Sequence, residues 1–277
     1  MGAQQQSNLQ AARDLLHRDI KIGPQGEAVG AELFGVYDTL SQSPRLLRAL
    51  TDPGRTPVDR VSLAESVFSA RVGTVTMAVI CLLVGQHWSH QDQLGTTIRE
   101  LGMDAYVLAE DYEKNPDLSQ QLVDAYALIA SNRDLRIQLS DLGEGDPDQR
   151  AALAGKVFEG HVSPIAQKLI MRAAHDVRYG HLVQLLRRMA ARASDMNGRA
   201  LVVCSTARPL TEAQAARMAS LAERKWGRPV DMAQVVDPSL IGGFRLDIGE
   251  ESIDTSIRTD IAMARLAMAK KQQTSLT

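Results

Sequence analysis

Along the first two-thirds of the chain, apolar residues recur every three or four positions, which is the spacing of amphipathic helices. The first such stretch predicts a helix over residues 7–18, with Ser7 as its N-cap. Its apolar face consists of Leu9, Ala12, Leu15 and Leu16. Gly23, Pro24 and Gly26 then interrupt the pattern, so the next helix is expected after them.

The part of the chain that follows repeats itself. Leucine-rich helices can share their spacing by chance, but here rarer residues are also in register. The paired positions include Tyr37 with Tyr126, Phe68 with Phe158 and Arg99 with Arg187, and each of these phenylalanines is followed four residues later by valine. Because the chain contains only 4 phenylalanines, two of them in register indicate a duplicated module.

Each copy of the module has the same predicted order of helices. A helix ends at a polar turn, a second helix carries the Val-Phe pair, a third is the most apolar, and a fourth carries Arg99 or Arg187. Helices with one apolar face must bury it against each other, which predicts an up-and-down bundle for each copy. Residues 103–119, between the copies, are predicted to form one further helix that links them.

After Asn197 the pattern changes from helical spacing to β-rich runs. A strand is expected over residues 200–204, and Thr211 opens a helix that ends at Trp226. Two more strand regions lie at 230–236 and 240–249, and a last helix is expected after Asp254. The predicted fold class is α+β and mostly helical, with duplicated up-and-down helical bundle modules followed by a small C-terminal α/β domain.

Composition and charge exclude several classes of protein. The chain has 31 Lys+Arg and 33 Asp+Glu, a net charge of -2, so it lacks the basic excess of a nucleic-acid binder. Its 2 cysteines, Cys81 and Cys204, cannot form a disulfide scaffold and are expected to be small buried side chains. The most apolar run, residues 75–84, is too short to span a membrane and is expected to be a buried core helix. The N-terminal residues resemble no export signal, which favours a cytoplasmic protein.

Few residues are arranged for catalysis or metal binding. His87 and His90 would share one helix face, but no third metal ligand stands at a recognisable spacing. His175 with Asp176, together with His181 and Ser163, has no nucleophile elbow or oxyanion loop beside it. Residues 242–243 are a glycine pair without a phosphate-loop motif, which favours a strand with a bulge or a close backbone contact. We therefore expect no catalytic, cofactor-binding or metal-binding residues, and the chain has the character of a scaffold.

Three blocks near the C-terminus are more specific. Residues 202–212 contain Pro-Leu-Thr at the start of a helix, residues 236–243 read Val-Asp-Pro-Ser-Leu-Ile-Gly-Gly, and residues 253–258 begin Ile-Asp-Thr-Ser. Together and in this order they resemble the delta subunit of F-type ATP synthases, which is called the oligomycin-sensitivity-conferring subunit in mitochondria. The positions that carry the resemblance are Pro209, Leu210, Thr211, Asp237, Pro238, Leu240, Gly242, Gly243, Asp254 and Ser256. Thr255 departs from the pattern, since family members often have Gly there.

The resemblance covers about residues 105–270, and the first module is additional. In this respect the chain resembles the longer delta subunits of high-GC Gram-positive bacteria. The expected organisation has four parts, which are an N-terminal helix and linker (1–28), a first helical module (29–104), a second helical module (105–196) and a C-terminal α/β stalk-binding domain (197–277).

The resemblance implies a non-catalytic stator subunit without cofactors. It would link the N-termini of the alpha subunits of the catalytic head to the C-terminus of the b-type stalk, resist rotor torque, and reach the cytoplasmic face of the cell membrane only through the complex. The family's groove-forming helix corresponds to about residues 162–177. The groove-or-core candidates there, at which core packing is favoured over partner contact, are Ile165, Leu169, Ile170 and Ala173. The additional first module would offer a second groove or a brace. The alternatives from other classes are an enzyme or ligand sensor, and a helical adaptor unrelated to the synthase.

Overall fold

The computed structural model describes residues 3–111, 114–115, 117–140, 145–176, 181–240, 242–249 and 251–254. Helices predominate, and a small mixed sheet follows them, so the predicted α+β, mostly helical class is confirmed. The chain divides into two compact units, Met1–Pro116 and Asp117–Thr277.

The first unit is entirely helical where it is described. Its helices are α1 (Ala3–Asp19), α2 (Pro24–Gln42), α3 (Pro44–Thr51), α4 (Pro57–Phe68), α5 (Thr74–Gly85) and α6 (Asp92–Ala109). Proline opens α2, α3 and α4, where its missing N–H has no helical partner to lose. Two predictions at the N-terminus are wrong for the same reason, because both helices begin earlier in the sequence than expected. Ser7 lies inside α1 and does not cap it, and Pro24 begins α2 with Gly26 already helical.

The apolar faces of these helices form one core. Leu9, Ala12 and Leu16 of α1 are buried, and α1 packs against α5 and α6. Helix α5 is the apolar run that the sequence predicted to be a core helix, and Val79, Ile80, Leu83 and Val84 are buried as expected.

Helices α2 and α6 approach each other closely because glycines lie between them. The ring of Tyr106 on α6 lies over Gly30 of α2, and the ring of Phe34 on α2 lies over Gly102 of α6. The two rings stack with centroids 5.8 Å apart. A Cβ atom at Gly30 would come within 2.6 Å of Cδ2 of Tyr106, which is closer than any side chain tolerates. The contact therefore requires glycine for space rather than for backbone freedom.

We expect Gly30→Ala to lower the free energy of unfolding by about 1–3 kcal/mol, because the added methyl group overpacks the interface with α6. Gly35→Ala is the matched control on the same helix, since a Cβ there would meet nothing within 4 Å. That change should raise the stability by about 0.5–1 kcal/mol through helix propensity. Urea denaturation of both variants measures the difference, and equal shifts of the same sign would contradict the packing argument.

The second unit begins with helices and ends with the sheet. Its first helices are α7 (Leu118–Ser131), α8 (Arg133–Gln138), α9 (Pro147–Phe158), α10 (Pro164–Asp176) and α11 (Leu182–Met196). The predicted linking helix over residues 103–119 is wrong. Helix α6 ends at Ala109, and the described residues between it and α7 form a turn in which Asn115 Nδ2 donates to Glu110 Oε2 at 3.1 Å. Polar side chains that bond locally in this way compete with helix formation.

The repeat predicted from the sequence recurs as an order of elements. Helices α2 to α6 correspond to α7 to α11, with Phe68 and Phe158 as the buried last residues of α4 and α9. Both of those helices begin with proline after a capping side chain, Thr56 in one case and Asp146 in the other.

One pair of buried arginines makes equivalent contacts in the two copies. Arg60 Nη2 donates to the carbonyl oxygen of Gly85 at 3.1 Å, and Arg150 Nε donates to that of Ala174 at 3.2 Å. A second guanidinium nitrogen bonds the loop before each helix, at Asp52 in the first copy and at Gly145 in the second. The side chains are only 5% and 6% exposed. Each arginine thus joins the first turn of one helix to the end of the next.

A second pair of polar contacts also recurs. Glu32 of α2 accepts a hydrogen bond from the backbone N–H of Gly73 at 2.9 Å, and Gln121 of α7 accepts one from that of Ser163 at 2.8 Å. Gly73 and Ser163 immediately precede α5 and α10, whose first N–H groups have no partner within the helix. Correspondence of side-chain hydrogen bonds, beyond that of apolar spacing, supports a true duplication.

The C-terminal part forms a four-stranded sheet. It contains β1 (Ala200–Thr206), α12 (Glu212–Trp226), β2 (Val230–Val236), β3 (Phe244–Ile248) and β4 (Glu251–Asp254), in the order β2-β1-β3-β4. Strands β1 and β2 are parallel, and the other two pairings are antiparallel. Every residue of β1 is buried. Helices α7 and α11 pack against β2 and β1, and the cluster that includes Val202, Cys204, Ala222 and Leu246 forms the core beneath α12.

Two strand predictions need correction. Residues 242–243 lie in a bend before β3 and not inside a strand, and Gly243 has a φ of 79° that only glycine adopts without strain. Ile253 and Asp254 belong to β4, whereas the sequence pattern predicted that they lead into a helix. The predicted last helix lies outside the described residues, as do Thr255 and Ser256.

Candidate partner-binding site

A groove with a volume of about 440 Å³ lies on the second unit, between α7 and the end of α9. Its walls are mainly apolar, and three polar side chains are among its lining residues. The lining residues are Gln121, Asp124, Ala125, Leu128, Val157, Phe158, His161 and Val162. Apolar grooves of this kind accept the apolar face of an amphipathic helix.

The groove combines buried and exposed apolar side chains. Phe158 and Ala125 are buried in the floor. Leu128 on α7 is 49% exposed, which is unusual for a large apolar side chain in this unit. Asp124 stands beside it, where burial raises the pKa of its carboxyl group and a 2.7 Å hydrogen bond from Gln120 opposes that rise. The exposed Leu128 and the carboxylate of Asp124 thus both line the groove.

The four groove candidates chosen from the sequence lie elsewhere, on α10. Their exposed fractions are 5% for Ile165, 1% for Leu169, 1% for Ile170 and 0% for Ala173. Side chains so deeply buried offer almost no surface in this conformation, which favours the core reading that the sequence left open. A direct role in partner binding stays a prediction.

A signal in the sequence could have identified Leu128. The buried stripe of α7 contains Leu122, Ala125, Tyr126 and Ile129, and Leu128 lies outside it. It continues a second stripe, through Gln121 and Asp124, that forms the wall of the groove. Leu128 thus combines a position outside the core stripe with a place in the lining of the groove.

The corresponding surface of the first unit differs in chemistry. By the register of the repeat, Thr39 of α2 stands where Leu128 stands on α7. The Thr39 hydroxyl donates to the carbonyl oxygen of Gly35, one turn earlier, at 2.9 Å. The first unit therefore presents a polar residue at the position where the second unit presents an exposed leucine.

The C-terminal signature positions have structural roles. Thr211 caps α12, accepting from the N–H of Gln214, whose side chain in turn accepts from the N–H of Thr211. Asp237 turns the chain after β2, since its carboxylate accepts from the N–H of Ser239 at 2.9 Å and its carbonyl from that of Leu240 at 3.1 Å. Leu240 is buried and Leu210 packs against the core, while Pro209 and Pro238 are exposed.

Several residues considered for other chemistry also have structural roles. Ser163 caps α10, because its hydroxyl accepts from the N–H of Ala166 at 3.2 Å. Asp176 accepts from Arg172 at 2.7 Å and lies 3.0 Å from His175 Nδ1. Burial of Cys204 raises its pKa to about 11. No helix among the described residues has both the length and the apolar character required to cross a bilayer.

Comparison with known proteins identifies the family. A sequence model described as "ATP synthase delta (OSCP) subunit" matches residues 105–268, which is more than half of the chain. Proteins named ATP synthase subunit delta are similar over nearly its whole length. The one from Beutenbergia cavernae is 28% identical over 97% of this chain and 100% of its own, and the one from Salinispora arenicola is 31% identical over 90% and 92%.

These relatives also account for the additional first unit. The family model begins at residue 105, whereas the Beutenbergia protein and that of Corynebacterium urealyticum, 29% identical over 92% of this chain and 93% of its own, extend through the first unit as well. The resemblance to the longer actinobacterial form is therefore confirmed. Full-length similarity and the match to the helical and α/β parts agree, and the chain belongs to the ATP synthase delta (OSCP) subunit family.

Proposed function

We propose that this chain joins two partners at separate surfaces: the N-terminal segment of an alpha subunit in the groove between α7 and α9, and the C-terminal end of the b-type stalk at the C-terminal α/β domain. Membership of the family makes the chain a non-catalytic subunit of the peripheral stalk of an F-type ATP synthase. It associates with other subunits of that complex, and the identity of the two partners is the proposal.

The exposed side chain of Leu128 is the observation that carries the first contact. It borders an apolar groove whose volume suits the side chains of one helix face. An amphipathic helix that covered Leu128 would remove its apolar surface from water, which is favourable by about 25 cal/mol per Å². The same argument disfavours the first unit as a second alpha-binding groove, since Thr39 replaces the leucine there. Of the two roles that the sequence analysis offered for the first unit, a second groove or a brace, we therefore propose the brace.

The partly exposed strands β3 and β4 support the proposed contact with the b-type stalk. Strand β4 is the edge of the sheet, and its residues are exposed except for Ile253, which is partly buried. Phe244 and Ile248 of β3 are likewise only partly buried on the face that carries α12. These apolar side chains offer a surface for a stalk helix within the part of the chain that matches the family model. On this proposal the protein lies at the cytoplasmic face of the cell membrane in the assembled complex and is bound there only through its partners.

Calorimetric titration of the full chain with a peptide that copies the alpha-subunit N-terminus tests the first contact. We expect a dissociation constant of about 1 μM or tighter. Leu128→Asp should weaken it about tenfold to a hundredfold, because a charge at the groove edge would be desolvated by the helix. The fold should remain intact, since Leu128 is half exposed.

The repeat supplies the control. Thr39→Asp places the same charge at the corresponding position of the first unit and should leave the affinity within about twofold of the unmodified chain, as surface changes away from an interface usually do. Loss of affinity in Thr39→Asp but not in Leu128→Asp would assign the alpha-subunit contact to the first unit. No change in either variant would remove the groove as the binding site.

A further inference from the structure

A second cavity, of about 520 Å³, lies where the helices of the second unit meet its sheet, and it is lined by arginines. Helices α7, α8 and α11 form one side, and strands β1, β2 and β3 form the other. The charged lining residues are Arg133, Arg136, Arg187, Arg245, Asp237 and Asp247. The four arginines exceed the two aspartates, so the wall carries a net positive charge of about two at neutral pH.

Two of the guanidinium groups are not engaged within the described part of the chain. Arg245 pairs with Asp247 at 3.0 Å, and Arg136 donates to the carbonyl oxygen of Ala130 at 2.6 Å. Arg133 and Arg187, by contrast, have no hydrogen bond or ion pair to any described residue. A guanidinium offers five N–H donors, so the cavity holds many more donors than its own acceptors can satisfy.

The floor of the cavity is well defined. Tyr126, Val203 and Ser205 are buried there, and the backbone N–H of Val236 donates to Ser131 Oγ at 3.1 Å, which holds the end of α7 against β2. The charges of Arg187 and Arg245 act on the Tyr126 hydroxyl and partly oppose the rise in its pKa caused by burial. Arg187 and Arg245 therefore stand around buried polar side chains, whereas Arg133 is exposed at the cavity.

We propose that this cavity binds a small phosphate-bearing anion. Its volume is within the range of about 300–1,000 Å³ that is usual for small-molecule sites. The arginines come from α8, α11 and β3 and thus approach from different directions. A tetrahedral phosphate presents oxygens in several directions, whereas a carboxylate presents two in one plane, so the convergence favours phosphate. The proposal is independent of the alpha-subunit and stalk contacts.

Calorimetric titration of the full chain with inorganic pyrophosphate tests the site. We expect saturable one-to-one binding with a dissociation constant below about 1 mM, which weakens as salt is added because the interaction is ionic. Succinate, with two carboxylates and no phosphate, should bind at least about tenfold more weakly, since it cannot use donors from all three elements. Equal affinity for succinate, or no heat with pyrophosphate, would overturn the proposal.

Variants assign the binding to the cavity. Arg187→Gln removes an unengaged guanidinium and should weaken pyrophosphate binding about tenfold or more, the usual cost of losing a charged hydrogen-bond pair. Arg188→Gln is the matched control, because it removes the same charge from the exposed next residue, outside the cavity. Arg133→Gln, at an exposed position, provides a second test if Arg187→Gln unfolds the chain. Equal losses in Arg188→Gln and in the cavity variants would show only diffuse attraction to basic residues and would overturn the assignment.

Discussion

Replacing Phe158 by alanine is expected to lower the free energy of unfolding by about 3–5 kcal/mol. The ring is only 4% exposed and closes the end of α9, where it also forms the floor of the groove beside α7. Its removal loses the transfer free energy of a large aromatic side chain and leaves a cavity that the surrounding helices cannot fill. Urea denaturation of the full chain, followed by far-UV circular dichroism, measures the loss.

The repeat provides a comparison for this substitution. Phe68→Ala at the corresponding position of α4 should cost a similar amount, because Phe68 is 2% exposed and also ends its helix. Phe158→Leu retains most of the volume and should cost less than about 1.5 kcal/mol. A loss in Phe158→Ala no greater than that in Phe158→Leu would mean that the ring is not packed as described.

Arg150→Met is expected to lower the free energy of unfolding by about 2–4 kcal/mol. Methionine can replace the buried stem of the arginine, but it leaves the carbonyl oxygens of Gly145 and Ala174 without their charged donors. Each lost hydrogen bond from a charged group costs about 1.5–3 kcal/mol, and relief from desolvating the cation offsets part of that cost. Chemical denaturation again gives the magnitude.

Arg60→Met tests the equivalence of the two copies, since Arg60 donates to Asp52 and Gly85 in the same manner. Arg150→Lys separates charge from geometry, because an ammonium group is a compact point donor and cannot reach both carbonyls as the planar guanidinium does. We expect an intermediate loss for lysine. If the methionine variant is as stable as the unmodified chain, the two hydrogen bonds contribute nothing net.

The sequence predicted the apolar framework of this protein well. The helical period and the capping Thr211 are local signals that a single element determines, and the two phenylalanines in register report the repeat. Helix ends were harder to predict. The sequence placed an N-cap at Ser7, which lies inside α1, and a break at Pro24, which is the first residue of α2. The glycine contacts between α2 and α6 depend on which helices become neighbours, and spacing along one helix does not contain that information.

The polar contacts were missed for a related reason. An arginine in an amphipathic helix is ordinarily assigned to the solvated face, and nothing in the local pattern marks Arg60 or Arg150 as buried. Arg60 and Arg150 are separated by the same number of residues as Phe68 and Phe158, and this was the signal in the sequence that could have marked them as equivalent. The groove candidates chosen from the sequence lie on α10, where they belong to a buried apolar stripe, and their role in partner binding stays a prediction.

The paired arginine links also bear on how the molecule responds to load. A hydrogen bond weakens steeply once its donor and acceptor separate beyond about 3.5 Å, so a helix joined at its first turn to the end of its neighbour cannot slide along it by even a fraction of a turn without loss. Apolar contacts alone would allow such shear, since one leucine can replace another along the ridge. Hydrogen bonds of this kind make a helical unit resist shear between its helices. Loss of those made by Arg60 or Arg150 should therefore make the peripheral stalk more compliant under load before it causes the subunits to dissociate.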